Sequence, residues 1–351
     1  MAGDRFPAAQ WPTAPLPGAA DARKFDACVD ALFGSPETHG DTFALAVLHG
    51  GRLVFEKYAP DHHPGSTLIS WSMAKSITHA LVGVAVGDGL LDTAMDNLFP
   101  EWSGDGRRAI TLQHLLNMSS GLAWNEDYVD DSVSDVIEML FGTDAANHAG
   151  DHAAYAASRT LASEPGTRFV YSSGTTNLVT RVLARALGDS PPSNERTLTF
   201  MRERLFGPLG MTSATPKFDS AGTFVGSSYV YATAHDFARF GWLYLNDGVW
   251  DGSRILPEGW VEHGRTYCAT DPENNTGYGA HWWLPPALPG SMAAFGYEGQ
   301  FTFVVPDRDL VVVRLGKSPV PLGQKVRESL EELVTAFPVN KARADKSGTD
   351  V

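Results

Sequence analysis

Near the N-terminus, aliphatic, aromatic and β-branched residues gather in two short runs, residues 43–48 and 52–58, separated by Gly50 and Gly51. Two adjacent glycines, free to take positive φ, suit a tight turn, so this stretch predicts an antiparallel hairpin. A counterpart lies near the other end, where runs at 300–305 and 310–315 flank Pro306-Asp307-Arg308-Asp309, a turn-forming linker. Helical spacing replaces these runs elsewhere. Phe25, Cys28, Val29, Leu32 and Phe33 fall on one face of a helix over 21–33, which Asp21 can cap, and a last amphipathic helix covers 322–337. Between the hairpins the helical runs are 73–86, 112–118, 132–141, 175–187 and 197–206. Segments 271–278 and 285–290 cluster Pro, Gly, Asn and Asp and read as surface loops.

One hairpin is too small to be stable alone. Pairing both into a single antiparallel sheet, with the terminal helices covering it, solves that problem and leaves the helical middle as an insertion. The predicted class is therefore α+β. The expected organisation is an irregular arm at 1–20, a discontinuous sheet domain from 21–70 and 221–340, a mostly helical domain at 71–220, and a polar tail at 341–351.

Composition narrows the function classes. The 351 residues, 43% of them hydrophobic, are enough for a large core. With 27 Lys and Arg against 41 Asp and Glu, the formal charge of −14 opposes nucleic acid and anionic membrane surfaces. Neither is an expected partner. No stretch is long and charge-free enough to span a bilayer, and residues 1–20 lack the apolar run of a signal peptide, so a cytoplasmic protein is expected. The two cysteines, Cys28 and Cys268, form no CxxC pair, which leaves at most one bridge and no thiolate metal site. His148 and His152 flank Asp151 with Gly150 between them and read as solvated loop residues; no cofactor or metal is implied.

Ser72-Met73-Ala74-Lys75 opens the first long helix of the middle region. A spacing of three puts Ser72 and Lys75 on one face, a turn apart. A serine hydroxyl becomes nucleophilic when a neighbouring base takes its proton, and a lysine serves once burial lowers its pKa. The helix N-terminus adds free N–H groups where an oxyanion would form. Alone, the pattern fits an exposed serine beside a solvated lysine better than it fits a catalytic pair. A second element favours chemistry: the loop Pro165-Gly166-Thr167-Arg168-Phe169-Val170-Tyr171, continuing as Ser172-Ser173-Gly174 into a helix.

These two elements together resemble the serine β-lactamase and penicillin-binding superfamily, particularly its class C and esterase-like branch. The stretch Thr111-Leu112-Gln113-His114-Leu115-Leu116, ending in Ser119-Ser120-Gly121, is similar to a scaffold segment of that family. Trp124-Asn125-Glu126-Asp127-Tyr128 looks closest to aminohexanoate-oligomer hydrolases. The resemblance implies a β-lactamase/transpeptidase-like fold, with Ser72 as nucleophile and Lys75 and Tyr171 handling its proton. It also implies Tyr128 as a substrate contact, with Trp124 beside it, and an oxyanion hole built from the backbone N–H groups of Ser72 and Phe295. Ser173 stands where the family commonly has asparagine.

The sequence departs from the family at its third motif. Ala293-Ala294-Phe295-Gly296-Tyr297-Glu298-Gly299-Gln300 has no lysine or histidine, and only Tyr297 and Glu298 are available as polar contacts. The missing cation argues against anionic β-lactams. A small-molecule ester or amide is the expected substrate. The alternatives are a β-lactamase or D-alanyl-D-alanine peptidase, and a catalytically silent binding module of the same fold. A Ser-His-Asp enzyme would need a Gly-x-Ser-x-Gly elbow, which the chain lacks. Trp71, Trp124, Trp282 and Trp283 lie near the site segments and suit either an apolar pocket or core packing.

Overall fold

A computed structural model of the chain describes residues 10–128, 134–142 and 145–340. Its main sheet has eight antiparallel strands: β1 (Asp41–His49), β2 (Arg52–Tyr58), β3 (Ala269–Asp271), β4 (Thr276–Tyr278), β5 (Trp283–Leu284), β6 (Met292–Gly296), β7 (Gln300–Val305) and β8 (Leu310–Lys317). Their order across the sheet is β2-β1-β8-β7-β6-β5-β4-β3. The two ends of the chain meet where β1 pairs with β8, Val47 opposite Val312. Gly50 and Gly51 both take positive φ, 61° and 80°, in the turn between β1 and β2.

Alternation along the strands feeds two cores. Leu45, Val47, Phe303 and Val312 point toward the terminal helices α1 (Ala22–Gly34) and α4 (Val320–Thr335), where they join Phe25, Leu32, Leu330 and Leu333. Asp21 caps α1 by accepting the Lys24 N–H at 3.1 Å. Ala44, Ala46, Val311 and Val313 face the other way, toward the core of the helical region. That core surrounds α2 (Ala74–Gly87), whose residues from Ala74 to Ala85 are all buried. Helix α3 (Ser173–Ala186) packs against α2 and starts at Ser172, whose hydroxyl accepts the Thr175 N–H at 3.0 Å. This is the α+β architecture expected from the sequence, one antiparallel sheet joining both ends of the chain and covered by the terminal helices.

Several expectations need correction. Segment 271–278 is no surface loop: its ends are strand residues of β3 and β4, and only the Asn- and Pro-bearing turn between them is irregular. Within the arm, Trp11 is a core residue, ring to ring with Trp242 and Trp250, and residues 12–14 hydrogen-bond along Leu53. The arm so covers the outer edge of β2, which would otherwise offer unpaired backbone groups. His152 is not solvated; it is buried at the start of a helix, His152–Ala157, where burial lowers its pKa to about 4 and keeps it neutral. The helix expected at 132–141 runs over Asp135–Phe141, its first two expected residues lying outside the described ones, as do the start of the arm and the tail. Cys28 and Cys268 are both free thiols. No helix among the described residues is long and apolar enough to cross a membrane.

Candidate active site

Ser72 does not open the long helix. It sits in a single 3-10 turn, Trp71–Met73, that precedes α2. Trp71 has φ of 43°, a left-handed conformation that costs a bulky residue energy and persists only where its surroundings hold it. Its indole is held between Tyr229 and Tyr297. The turn keeps Ser72 at the N-terminal end of α2, so the positive potential of that end still reaches it. The end of β6 lies hard against this turn. A Cβ added to Gly296 would come within 2.4 Å of the Ser70 carbonyl oxygen, so the approach requires glycine.

Lys75 is buried one turn beyond Ser72, and its Nζ lies 2.9 Å from the Ser72 Oγ. The same Nζ is 3.0 Å from the Ser173 Oγ and donates to the Ser227 carbonyl at 3.1 Å. Burial lowers the Lys75 pKa to about 8, against the opposing pull of the Glu126 charge. The Tyr171 ring faces the ammonium, centroid 4.7 Å from Nζ, and packs on Trp283 at 5.2 Å. Burial pushes the Tyr171 phenol well above its ordinary value, aided by the Glu126 and Asp271 charges and opposed by a hydrogen bond with Ser72. At neutral pH it is a phenol. Behind the lysine, buried His281 is lowered to about 3 and adds no competing charge.

Ser72, Tyr171 and the aromatic residues open into a cleft of about 540 Å³, also lined by Trp124, Tyr128, Phe295 and Tyr297. Tyr128 stacks on Tyr297 at 4.7 Å, and Phe295 stacks on Trp283 at 5.4 Å. The structure thus brings Ser72, Lys75, Tyr171, Trp124, Tyr128, Phe295 and Tyr297 together. It does not bring Ser173 or Glu298 into the cleft wall. Ser173 lies fully buried behind Lys75, so its contact is with the lysine and not with a ligand in the cleft. Glu298, at φ 59°, turns the chain after β6, and its carbonyl accepts from the Ser318 N–H.

Glu126 had no role in the sequence reading, although it stands in the Trp124 to Tyr128 segment. Its two oxygens accept from the Ser173 Oγ at 2.5 Å, the Ser173 N–H at 2.9 Å, the Trp124 Nε1 at 2.5 Å and the Tyr128 hydroxyl at 3.4 Å. Nothing in local sequence pairs residues 126 and 173. The Ser227 carbonyl was equally invisible, being backbone. Among the described residues, no three His, Cys, Asp or Glu side chains gather so as to hold a metal ion.

The profile of the Beta-lactamase family matches residues 24–336. This chain belongs to the beta-lactamase family. One family relative is the 6-aminohexanoate-dimer hydrolase of Paenarthrobacter ureafaciens, 28% identical over 296 residues, spanning 80% of this chain and 74% of the relative. A protein of Bacillus anthracis provisionally assigned as a 6-aminohexanoate-dimer hydrolase has the same fold, with TM-score 0.75, 21% identity and coverage of 94% of this chain and 89% of its own. A family VIII carboxylesterase matches with TM-score 0.65 and 15% identity, over 92% of this chain and 99% of its own. The beta-lactamase family resemblance read from Ser72, Lys75 and Tyr171 is therefore correct, and hydrolases are among the relatives.

Proposed function

We propose that this protein is a serine hydrolase that cleaves neutral carboxylic esters, and more slowly small amides, through an acyl-enzyme on Ser72. The observation that carries the reading is the 2.9 Å contact between the Ser72 hydroxyl and a buried lysine whose pKa is lowered to about 8. A lysine so desolvated can be neutral near physiological pH and act as a base. Lys75 takes the Ser72 proton as Oγ attacks the acyl carbon. The oxyanion forms between the N–H groups of Ser72 and Phe295, each such donor being worth about 3 kcal/mol of barrier in comparable hydrolases. Tyr171, held as a phenol, gives its proton to the leaving oxygen or nitrogen and regains one from the Lys75 ammonium. Water then enters, gives up a proton by the reverse path and releases the acid.

Charge supports the preference for neutral substrates. Among the described residues, Glu126, Asp127, Asp271 and Glu273 line the cleft against Arg168 alone. The carboxylates feel one another: burial raises the Glu273 pKa, and the charges of Asp271, Asp127 and Glu126 raise it further. An anionic β-lactam would enter against this field and find no lysine or histidine on β6. The test is a panel of p-nitrophenyl esters beside nitrocefin and a short aminohexanoate amide. Esters are expected to be turned over at least about 100-fold faster than nitrocefin, a difference of roughly 3 kcal/mol. Faster nitrocefin cleavage would reverse the assignment.

The lysine also fixes a pH dependence. Only neutral Lys75 can take the proton, so kcat/KM for an ester should rise with pH and level off above about 8. A profile flat from pH 6 to 9 would exclude Lys75 as the base.

A further inference from the structure

Lys75 has three polar neighbours, and whether its free electron pair faces the right one depends on hydrogen-bond direction. A neutral amine offers two N–H donors and one lone pair. The Ser227 carbonyl can only accept, which consumes one N–H. Of the remaining neighbours, the hydroxyls of Ser72 and Ser173, either could in principle donate to the nitrogen. If Ser173 did, the lone pair would be blocked and the amine would donate to Ser72, so that the lysine could not accept the nucleophile's proton.

Glu126 removes that ambiguity. A serine hydroxyl has a single proton, and at 2.5 Å from the Glu126 Oε1 the Ser173 proton is committed to the carboxylate. Ser173 can then only accept from Lys75, which consumes the second N–H at 3.0 Å. The lone pair is left for Ser72. The carboxylate is itself fixed, because the Trp124 indole and the Ser173 N–H donate to its other oxygen. We propose that Glu126 is a positioning residue which, by holding Ser173 as an obligate acceptor, aims the Lys75 lone pair at Ser72. This rests on the serine-hydrolase reading above and deepens it.

A neutral isostere distinguishes direction from packing. In Glu126→Gln the amide can donate to the Ser173 oxygen, freeing the Ser173 proton to cap Lys75, while shape is nearly unchanged. The charged and titratable groups facing Lys75 are Glu126 on its loop, Tyr171 on the loop before α3, and His281 beyond α2. Those facing Glu126 are Tyr128, Tyr171, Tyr278 and Glu273. Removing the Glu126 charge withdraws support from the Lys75 ammonium, so the acidic limb of reactivity must also move to lower pH.

The experiment is the rate of Ser72 labelling by a fluorophosphonate between pH 6 and 10, for wild type, Glu126→Gln, Ser173→Ala and the double variant. Glu126→Gln is expected to lower the plateau rate about 10- to 100-fold, the scale of a misaligned catalytic group, and to shift the limb to lower pH. The double variant should react no more slowly than Ser173→Ala alone, because Glu126 acts through that hydroxyl. A Glu126→Gln enzyme with the wild-type plateau and limb, or losses that multiply in the double variant, would overturn the inference. Should Glu126→Gln not fold, Ser173→Ala decides alone, a plateau within threefold of wild type overturning it and a loss of about 10-fold or more supporting it. Failure of the wild type itself to label would overturn the serine-hydrolase reading and this one with it.

Discussion

Ser72→Ala is expected to lower ester turnover by roughly 10⁶-fold, to the level left by binding and oxyanion contacts, the scale reported for removal of a nucleophilic serine. The side chain is only partly buried and gives up a methyl-sized change in volume, so the fold should survive. The hydrogen bond lost with Lys75 is worth about 1 kcal/mol, a few degrees of melting temperature at most for a chain of this length. Activity and stability should therefore separate cleanly. Turnover of a p-nitrophenyl ester and the mass of the fluorophosphonate adduct check the first, and a thermal melt checks the second. A variant that kept a tenth of wild-type activity would show that the acyl group never rests on this residue.

What sequence could and could not disclose follows from the range of each interaction. The hairpin carrying β1 and β2 was legible because two β-rich runs broken by Gly50 and Gly51 are a local signal. Ser72 and Lys75 were legible for the same reason, since one helical turn brings them together whatever the rest of the chain does. The strands of β3 and β4 were lost because each spans three residues, and the Pro and Asn of the turn between them dominate the composition of that segment. Trp11 was lost because one tryptophan in a Pro-rich arm has no periodicity, and its burial comes from Trp242 and Trp250, more than 200 positions away. Glu126 belongs to the same class. Its role exists only because two loops 47 residues apart converge on Lys75. Trp71's left-handed backbone is likewise imposed from outside, by Tyr229 and Tyr297 and by the close passage of Gly296.

The strand that passes so close to Ser72 is held from beneath by Arg314, and Arg314→Ala should be the most destabilising single change among those considered. Arg314 lies on β8, fully buried. Its Nε donates to the Thr42 hydroxyl at 3.1 Å, one terminal nitrogen to the carbonyls of Gly299 at 2.8 Å and Glu298 at 3.3 Å, and the other to the Asp41 carbonyl at 3.0 Å and the Ser318 hydroxyl at 2.9 Å. All these partners are neutral oxygens, so the guanidinium is solvated by the protein where water does not reach. The chain makes room for it with glycine: a Cβ on Gly316 would lie 2.5 Å from the guanidinium carbon, and one on Gly299 2.7 Å from a terminal nitrogen. Each buried acceptor left without a donor costs about 1–3 kcal/mol. Allowing for water entering the space, Arg314→Ala should lose about 4 kcal/mol, a large share of the 5–15 kcal/mol that holds a typical domain. Exposed Arg23→Ala, by contrast, should stay within about 0.5 kcal/mol. Urea unfolding midpoints of the two variants measure the difference. Because the Glu298 and Gly299 carbonyls form the turn that ends β6, whatever Arg314→Ala protein remains folded should also lose ester activity through a displaced Phe295 N–H. An Arg314→Ala protein within 1 kcal/mol of wild type would mean that the backbone around residues 298–299 holds β6 against Ser72 without its guanidinium.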